Sequence, residues 1–287
     1  MIFLARDLPG IVPGKLFFVK ELVLSYNSVM TAKKENILGC DIGGSKINVV
    51  VWNGKKVVEQ KQIGVPNKNN LKAIIGEYGL RKIGIGVPGI FDAKNGRIIK
   101  CSNGPQLNGL NLKKLWPDKI VKIDNDVHCF LRAEAALGAG KGYDNILAVA
   151  FGTGIGGAFT NEKVKMKNEK INNEIIYRGR NGWAGEFGHM IIDRGQDWEE
   201  LYQKTRNKPK EQEKINAIGL ANLINIFNPK VIILGGKGAR LLTDKGAELL
   251  IKNLLSLKEQ MPKIVLTKLG QTANAIGAAL LFVNIKN

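Results

Sequence analysis

Ile37-Leu38-Gly39-Cys40-Asp41-Ile42-Gly43-Gly44-Ser45-Lys46-Ile47-Asn48-Val49-Val50-Val51-Trp52 is an apolar run, a glycine turn bearing one carboxylate, and a second apolar run rich in β-branched residues. It reads as a strand, a tight turn and a returning strand. Further along the chain the pattern restarts. Residues 146–150 are apolar, Gly152-Thr153-Gly154-Ile155-Gly156-Gly157 turns, and 158–160 continue as a strand. Glycine leaves the backbone approachable and lets φ turn positive, and concave clusters of N–H groups hold phosphate. Two lobes that each open this way point to an internal duplication, with the two turns facing one another across a cleft. A single α/β domain whose glycines only make hairpins is the simpler alternative, and the pairing of the turns argues against it.

Working outward, Asn53-Gly54 is a hairpin signal and 56–62 reads as a third strand. A short amphipathic helix over 71–78 and a buried strand over 83–87 follow, the latter ending at Pro88-Gly89. Residues 119–123 read as a strand and 126–137 as a helix. In the second half, 174–177 reads as a strand and 199–205 as a helix. Residues 211–227 form a long helix with Ile215, Ile218, Leu220, Ala221, Leu223, Ile224 and Phe227 on or near one face. Asn228-Pro229 ends it. A strand over 230–234 closes at Gly235-Gly236, then come a helix over 241–257, a strand over 263–267 and a final helix over 273–283. The polar stretch 161–174 reads as an insert on the second lobe. Residues 1–35 lack a period, and are either an accessory extension or a segment ahead of a start at Met30. The expected division is an extension over 1–35, a first lobe over 36–124 and a second over 125–287, with the last helix free to pack back on the first lobe.

Composition narrows the setting. With 287 residues, 44% of them hydrophobic, the chain can build a large core. No apolar run approaches the roughly 20 residues that span a bilayer, and no signal-peptide layout opens the chain. Three cysteines, Cys40, Cys101 and Cys129, form no CxxC pair, so a reducing cytoplasm is the simplest setting. The net charge of +18 comes from scattered lysines without a zinc finger, an RNA-binding aromatic motif or a helix-turn-helix. It reads as a solvated surface that attracts anionic substrates; neither nucleic acid nor a membrane is an expected partner.

Neither glycine turn is a Walker loop, and the 152–157 turn leads into a strand, unlike a dinucleotide fingerprint. Five motifs occur in order: Asp41 to Lys46, Asn125-Asp126, the 152–157 turn, Gly185-Glu186-Phe187-Gly188-His189, and Leu234-Gly235-Gly236. Together they resemble the ROK family of sugar kinases and related repressors, over about residues 36–285. The resemblance implies an α/β, duplicated actin-like (RNase H-like) ATPase fold, two lobes with a central cleft and ATP between them. It implies that Asp41 lies near the Mg²⁺ carried by ATP. Gly43, Gly44, Ser45 and Lys46 would make the first phosphate turn, and Thr153 and Gly154 the second. Gly235 and Gly236 would let the adenosine approach. Asn125 and Asp126 would bind sugar, with Asp126 as the base; Gly89, Glu186, His189 and Glu199 complete the sugar side. Taken singly, a helix cap would explain Asp126, a surface loop Glu186 and His189, and a helix start Glu199. His128 reads as structural.

The implied roles suit the chemistry. Phosphoryl transfer asks mainly for positioning and charge neutralisation, and a sugar hydroxyl loses its proton to a carboxylate within hydrogen-bond reach. The expected reaction is transfer of the ATP γ-phosphoryl group to a hexose, with the 6-hydroxyl of glucose first. Fructose, mannose, allose or an N-acetylated hexosamine would need the same elements, and polyphosphate could replace ATP. A sugar-responsive transcriptional regulator is the alternative from another class; the charge supports it, while Asp126 and both turns oppose it. An assembly of two copies stays open. Many family members carry a cysteine-rich zinc motif after the histidine that His189 matches. Here residues 191–200 contain no cysteine, so no zinc is expected. Chelation should abolish activity and Mg²⁺ alone should restore it. Metal analysis of untagged protein should find no zinc, and one tightly held zinc per chain would overturn this reading.

Overall fold

The computed structural model describes residues 36–44, 46–64, 68–92, 94–101, 104–160, 176–240, 242–254 and 261–283. Ser45, the extension 1–35 and the insert 161–174 lie outside the described residues. The first half runs β1 (Ile37–Ile42), β2 (Lys46–Trp52), β3 (Val57–Gly64), α1 (Lys68–Gly76) and β4 (Lys82–Val87). A small hairpin, β5 (Ile90–Asp92) and β6 (Arg97–Lys100), leads to α2 (Leu112–Leu115), β7 (Ile120–Asn125) and α3 (Asp126–Leu137). The second half runs β8 (Ile146–Phe151), β9 (Ile155–Phe159), a hairpin of β10 (Ile191–Asp193) and β11 (Gln196–Asp197), α4 (Trp198–Lys204) and α5 (Pro209–Phe227). It ends with β12 (Val231–Gly235), α6 (Asp244–Lys252), β13 (Lys263–Leu266) and α7 (Ala273–Ala279).

Two sheets follow one rule. The first has the order β3-β2-β1-β4-β7, the second β13-β12-β8-β9. In each, the opening strand pairs antiparallel with its return (β1 with β2, β8 with β9) and parallel with the strand after the next helix (β1 with β4, β8 with β12). A further parallel strand (β7, β13) and a helix (α3, α7) complete the unit. Thr160 and Ile176 form an antiparallel bridge just past β9, where β3 lies in the first sheet. This is the duplicated α/β fold that the paired glycine turns predict. The central strands are buried along nearly their whole length, as parallel strands covered on both faces must be. β3 carries Glu59 and Lys61 on a largely exposed edge, which discourages pairing with another chain.

The two halves meet through helices. A Cβ at Gly277 of α7 would fall 1.7 Å from the Cys129 carbonyl oxygen of α3, so the helices cross backbone to backbone. α7 follows the second sheet in sequence yet lies on the first. Cβ atoms at Gly39 of β1 and Gly84 of β4 would fall 2.1 Å and 1.9 Å from the carbonyl oxygens of Ala275 and Ala278.

Several boundaries differ from the sequence reading. The helix expected over 241–257 is α-helical over Asp244–Lys252, because the Thr243 side chain accepts from the Gly246 N–H and sets its start. The last helix ends at Ala279 and tightens into one 3₁₀ turn, Leu280–Phe282. The β5–β6 hairpin goes unread in the sequence although Asn95-Gly96 marks its turn, with Gly96 at φ +72°. No described helix is long and apolar enough to cross a membrane.

Gly277→Ala should lower stability by about 1–3 kcal/mol, the usual cost of overpacking. Each kcal/mol should move Tm by about 2–4 °C in a domain of this size class. Gly64→Ala, whose Cβ would meet nothing within 4 Å, should stay within about 0.5 kcal/mol of the parent. Thermal melts of the two variants check both.

Candidate active site

The register brings the expected residues to one edge. β1, β4 and β7 are parallel, with Asp41 beside Gly86, Gly86 beside Asp124 and Val87 beside Asn125. Asp41, the Pro88-Gly89 turn and Asn125-Asp126 therefore share the carboxyl edge of the first sheet. In the second sheet Ala150 pairs with Gly235, so the 152–157 turn and Gly235-Gly236 share its carboxyl edge. Ligands of open α/β sheets bind outside such edges. Gly89 sits at φ +83°, and a Cβ there would meet the Lys100 carbonyl oxygen at 2.2 Å, which fixes its turn against β6.

Asn125 caps α3: its Oδ1 accepts from the N–H groups of Val127 at 2.8 Å and His128 at 3.3 Å. Asp126 opens the helix and accepts from the Val127 N–H at 3.0 Å. Burial, then the nearby charges of Asp41 and Glu186, push the Asp126 carboxyl up to about 7. Burial also raises Asp41, against hydrogen bonds from Asn48 at 3.0 Å and Asn274 at 3.4 Å and the charge of Lys46. Three carboxylates thus face a common region. Glu186 is exposed at the entry to a 3₁₀ turn, Phe187–His189.

The neighbouring Asp124 is the opposite case. It is 0% exposed, and Arg178 grips both its oxygens at 2.7 Å. His128 Nδ1 lies 3.0 Å away and Arg132 at 2.9 Å. Burial alone would raise this carboxyl; the bonds from Arg178 and His128 and the Arg132 charge reverse that and hold it well below the usual range. Arg178 lies in the segment that leads to Glu186, so this bidentate pair ties that segment to the strand carrying Asn125. His128, read in the sequence as structural, is buried within this cluster.

The second turn leans on α4. Glu199 Oε2 accepts from the Ile155 N–H at 2.7 Å, and a Cβ on Gly154 would fall 1.9 Å from that oxygen. Arg206 donates to the carbonyl oxygens of Thr153 at 2.6 Å and Gly152 at 3.2 Å. Glu199, expected on the sugar side, is thus bonded to the glycine turn while also lying beside Gly188, where a Cβ would be 3.1 Å from it. His189 is 67% exposed in its side chain and faces Asp197 Oδ2 at 3.2 Å. Gly43 closes the first turn by donating to the Lys46 carbonyl at 2.9 Å. Lys46 Nζ reaches Gln271 of the second half at 3.3 Å, and Gln106 donates to the Gly44 carbonyl at 3.1 Å. Gly235 and Gly236 are required by internal packing: a Cβ would meet the Phe130 ring at 2.4 Å and the Phe151 carbonyl oxygen at 2.3 Å, respectively.

Sequence reading missed Asn48, Asn274, Asp124, Arg178 and Arg206. Asn48 was within reach of it, because a two-strand register places it opposite Asp41; the other contacts come from tertiary structure alone. Among the described residues no group of three or more His, Cys, Asp or Glu is placed to hold a metal ion. Mg²⁺ carried on phosphates needs only one or two carboxylates, and the mutual repulsion at Asp41 and Asp126 fits that lesser demand.

The sequence model of the ROK family matches residues 37–210 and 196–285. The N-acetyl-D-glucosamine kinases of Photobacterium profundum and Aliivibrio salmonicida are 29% and 28% identical to the chain, each alignment covering 86% of it and 99% of the relative. Among solved structures, the ROK family glucokinase from Streptomyces griseus in complex with glucose and AMPPNP aligns with a TM-score of 0.67 at 22% identity, over 86% of this chain and 98% of that one. The ROK hexokinase from Thermus thermophilus aligns with a TM-score of 0.64 at 24% identity, over 86% and 97%. These likenesses establish the shared fold.

The raised Asp126 carboxyl has a consequence for stability. Between its unfolded value near 4 and about 7, the folded state holds a proton that the unfolded chain has released. The contribution is complete below the unfolded value and is lost as pH rises through the folded one. Asp126→Asn should therefore melt above the parent at pH 8, with the difference closing as pH falls below about 4. A gap that stays constant across that range would contradict the electrostatic account.

Proposed function

Because the chain belongs to the ROK family, we propose that it is a kinase that transfers the γ-phosphoryl group of ATP to a hydroxyl of an N-acetylated hexosamine, N-acetylglucosamine first. The observation that carries the reading is Asp126: a carboxylate at the start of α3, raised to about 7 by burial, Asp41 and Glu186. A general base works best when its pKa lies near the working pH. The relatives named above favour N-acetylglucosamine over the glucose that the sequence reading places first.

In this reading Asp126 takes the proton of the attacking hydroxyl, and Asn125 and Glu186 orient the sugar. Asp41, held by Asn48 and Asn274, stands where the metal that accompanies ATP would be met. Mg²⁺ would supply charge neutralisation on the phosphates. Gly43, Gly44 and Lys46 on one side and Thr153 and Gly154 on the other bracket the phosphate chain, and Gly235 and Gly236 border the nucleoside. His189 and Gly89 complete the sugar side. Arg206 stiffens the second turn through its carbonyls.

A coupled assay over N-acetylglucosamine, N-acetylmannosamine, glucose, mannose and fructose, with ATP and with polyphosphate, tests the proposal. N-acetylglucosamine with ATP should have the highest kcat/KM, and a preference for glucose would restore the first reading of the sugar. Asp126→Asn should cut kcat by about 10²–10⁴ while keeping the sugar-induced rise in Tm that follows from binding to the folded state. Turnover within about twofold of the parent would mean that another group is the base.

A further inference from the structure

We propose that Asp197 is a positioning residue that fixes the sugar-side loop by hydrogen bonding, where family members with a cysteine motif use a zinc ion. The inference deepens the kinase reading and rests on it. The donors for a zinc are missing: Cys40, Cys101 and Cys129 are all buried, on or beside the elements of the first sheet and on α3. What stands between His189 and Glu199 is a prefolded hairpin. Ile191 pairs with Asp197 and Asp193 with Gln196. The turn residues Arg194 and Gly195 sit at φ +39° and +83°, the left-handed pair of a type I′ hairpin turn. The Trp198 N–H continues the link to the Met190 carbonyl oxygen at 2.9 Å.

Asp197 works at the end of this hairpin with both oxygens. Oδ1 accepts from the Glu200 N–H at 2.7 Å and caps α4. Oδ2 faces His189 Nδ1 at 3.2 Å. α4 is in turn anchored by the fully buried Trp198, whose Nε1–H donates to Asn216 at 3.1 Å. One carboxylate thus joins His189 to the helix that carries Glu199, and Glu199 reaches the Ile155 N–H of the second glycine turn. The span from His189 to Glu199 is held at both ends and in its middle by the protein's own hydrogen bonds.

Two variants separate this role from simple capping. Asp197→Ser keeps a good cap oxygen but is too short to reach His189. It should melt like the parent and raise the KM for sugar by about two- to fivefold, within the range of one net hydrogen bond. Its kcat should stay within about twofold and its KM for MgATP should not change. Asp197→Asn keeps a cap and an amide beside His189, and should return the sugar KM to within about twofold of the parent. A sugar KM in Asp197→Ser equal to the parent's would overturn the proposal, as would one zinc per chain in the purified parent. A parent inert toward every hexose would instead overturn the kinase reading, so the two failures are distinguishable.

Discussion

At the centre of the molecule two helix backbones touch. Gly277 of α7 admits no Cβ because the Cys129 carbonyl oxygen of α3 occupies that space. The same α7 lies on Gly39 and Gly84 of the first sheet, and α3 begins where β7 of that sheet ends. Each helix belongs to one repeat by sequence, and the crossing holds the repeats at a fixed separation. Interiors are close-packed, so a displacement at such a crossing is felt along both elements. Asp126 opens one of these helices, and Asn274, which bonds Asp41, lies in the first turn of the other. The spacing of the carboxylates is therefore a consequence of how the helices pack.

Asp124 and Asp126 are two residues apart and have opposite electrostatic fates. Two arginines and a histidine surround Asp124, which stays ionised as a structural anchor. Asp126 has carboxylates for neighbours and holds its proton far more strongly. Pairing stabilises the first, whereas the second, when ionised, is a local cost that a proton, a cation or a donated hydrogen bond relieves. A perturbed carboxyl in a cleft is a candidate for chemistry, whereas a shift set by an ion-pair network, like that of Asp124, is a structural one.

Much of this was legible in the chain before any coordinates. Apolar runs flanking glycine turns locate β1, β2 and β8, and a carboxylate following Asn125 at the head of an apolar-periodic stretch locates α3 to the residue. The turn at Arg194-Gly195 was not legible, because an arginine at positive φ carries no propensity signal. Nor were the long-range partners of Asp41 and Asp124, since Asn274 and Arg178 lie far from them along the chain. The glycines at 235 and 236 were read for their openness to a ligand, while in the structure Phe130 and the Phe151 carbonyl already fill the space that side chains would need.

The cap at Asn125 also fixes a polarity. Its carboxamide oxygen is engaged by two backbone N–H groups of α3, so the amide cannot flip without losing both. What remains to face a visitor is the NH₂ end, a donor with no acceptor capacity. Beside it, an ionised Asp126 can only accept. A carbonyl could satisfy the first and not the second, and an ammonium the second and not the first. A hydroxyl, which gives one hydrogen and takes another, answers both at once.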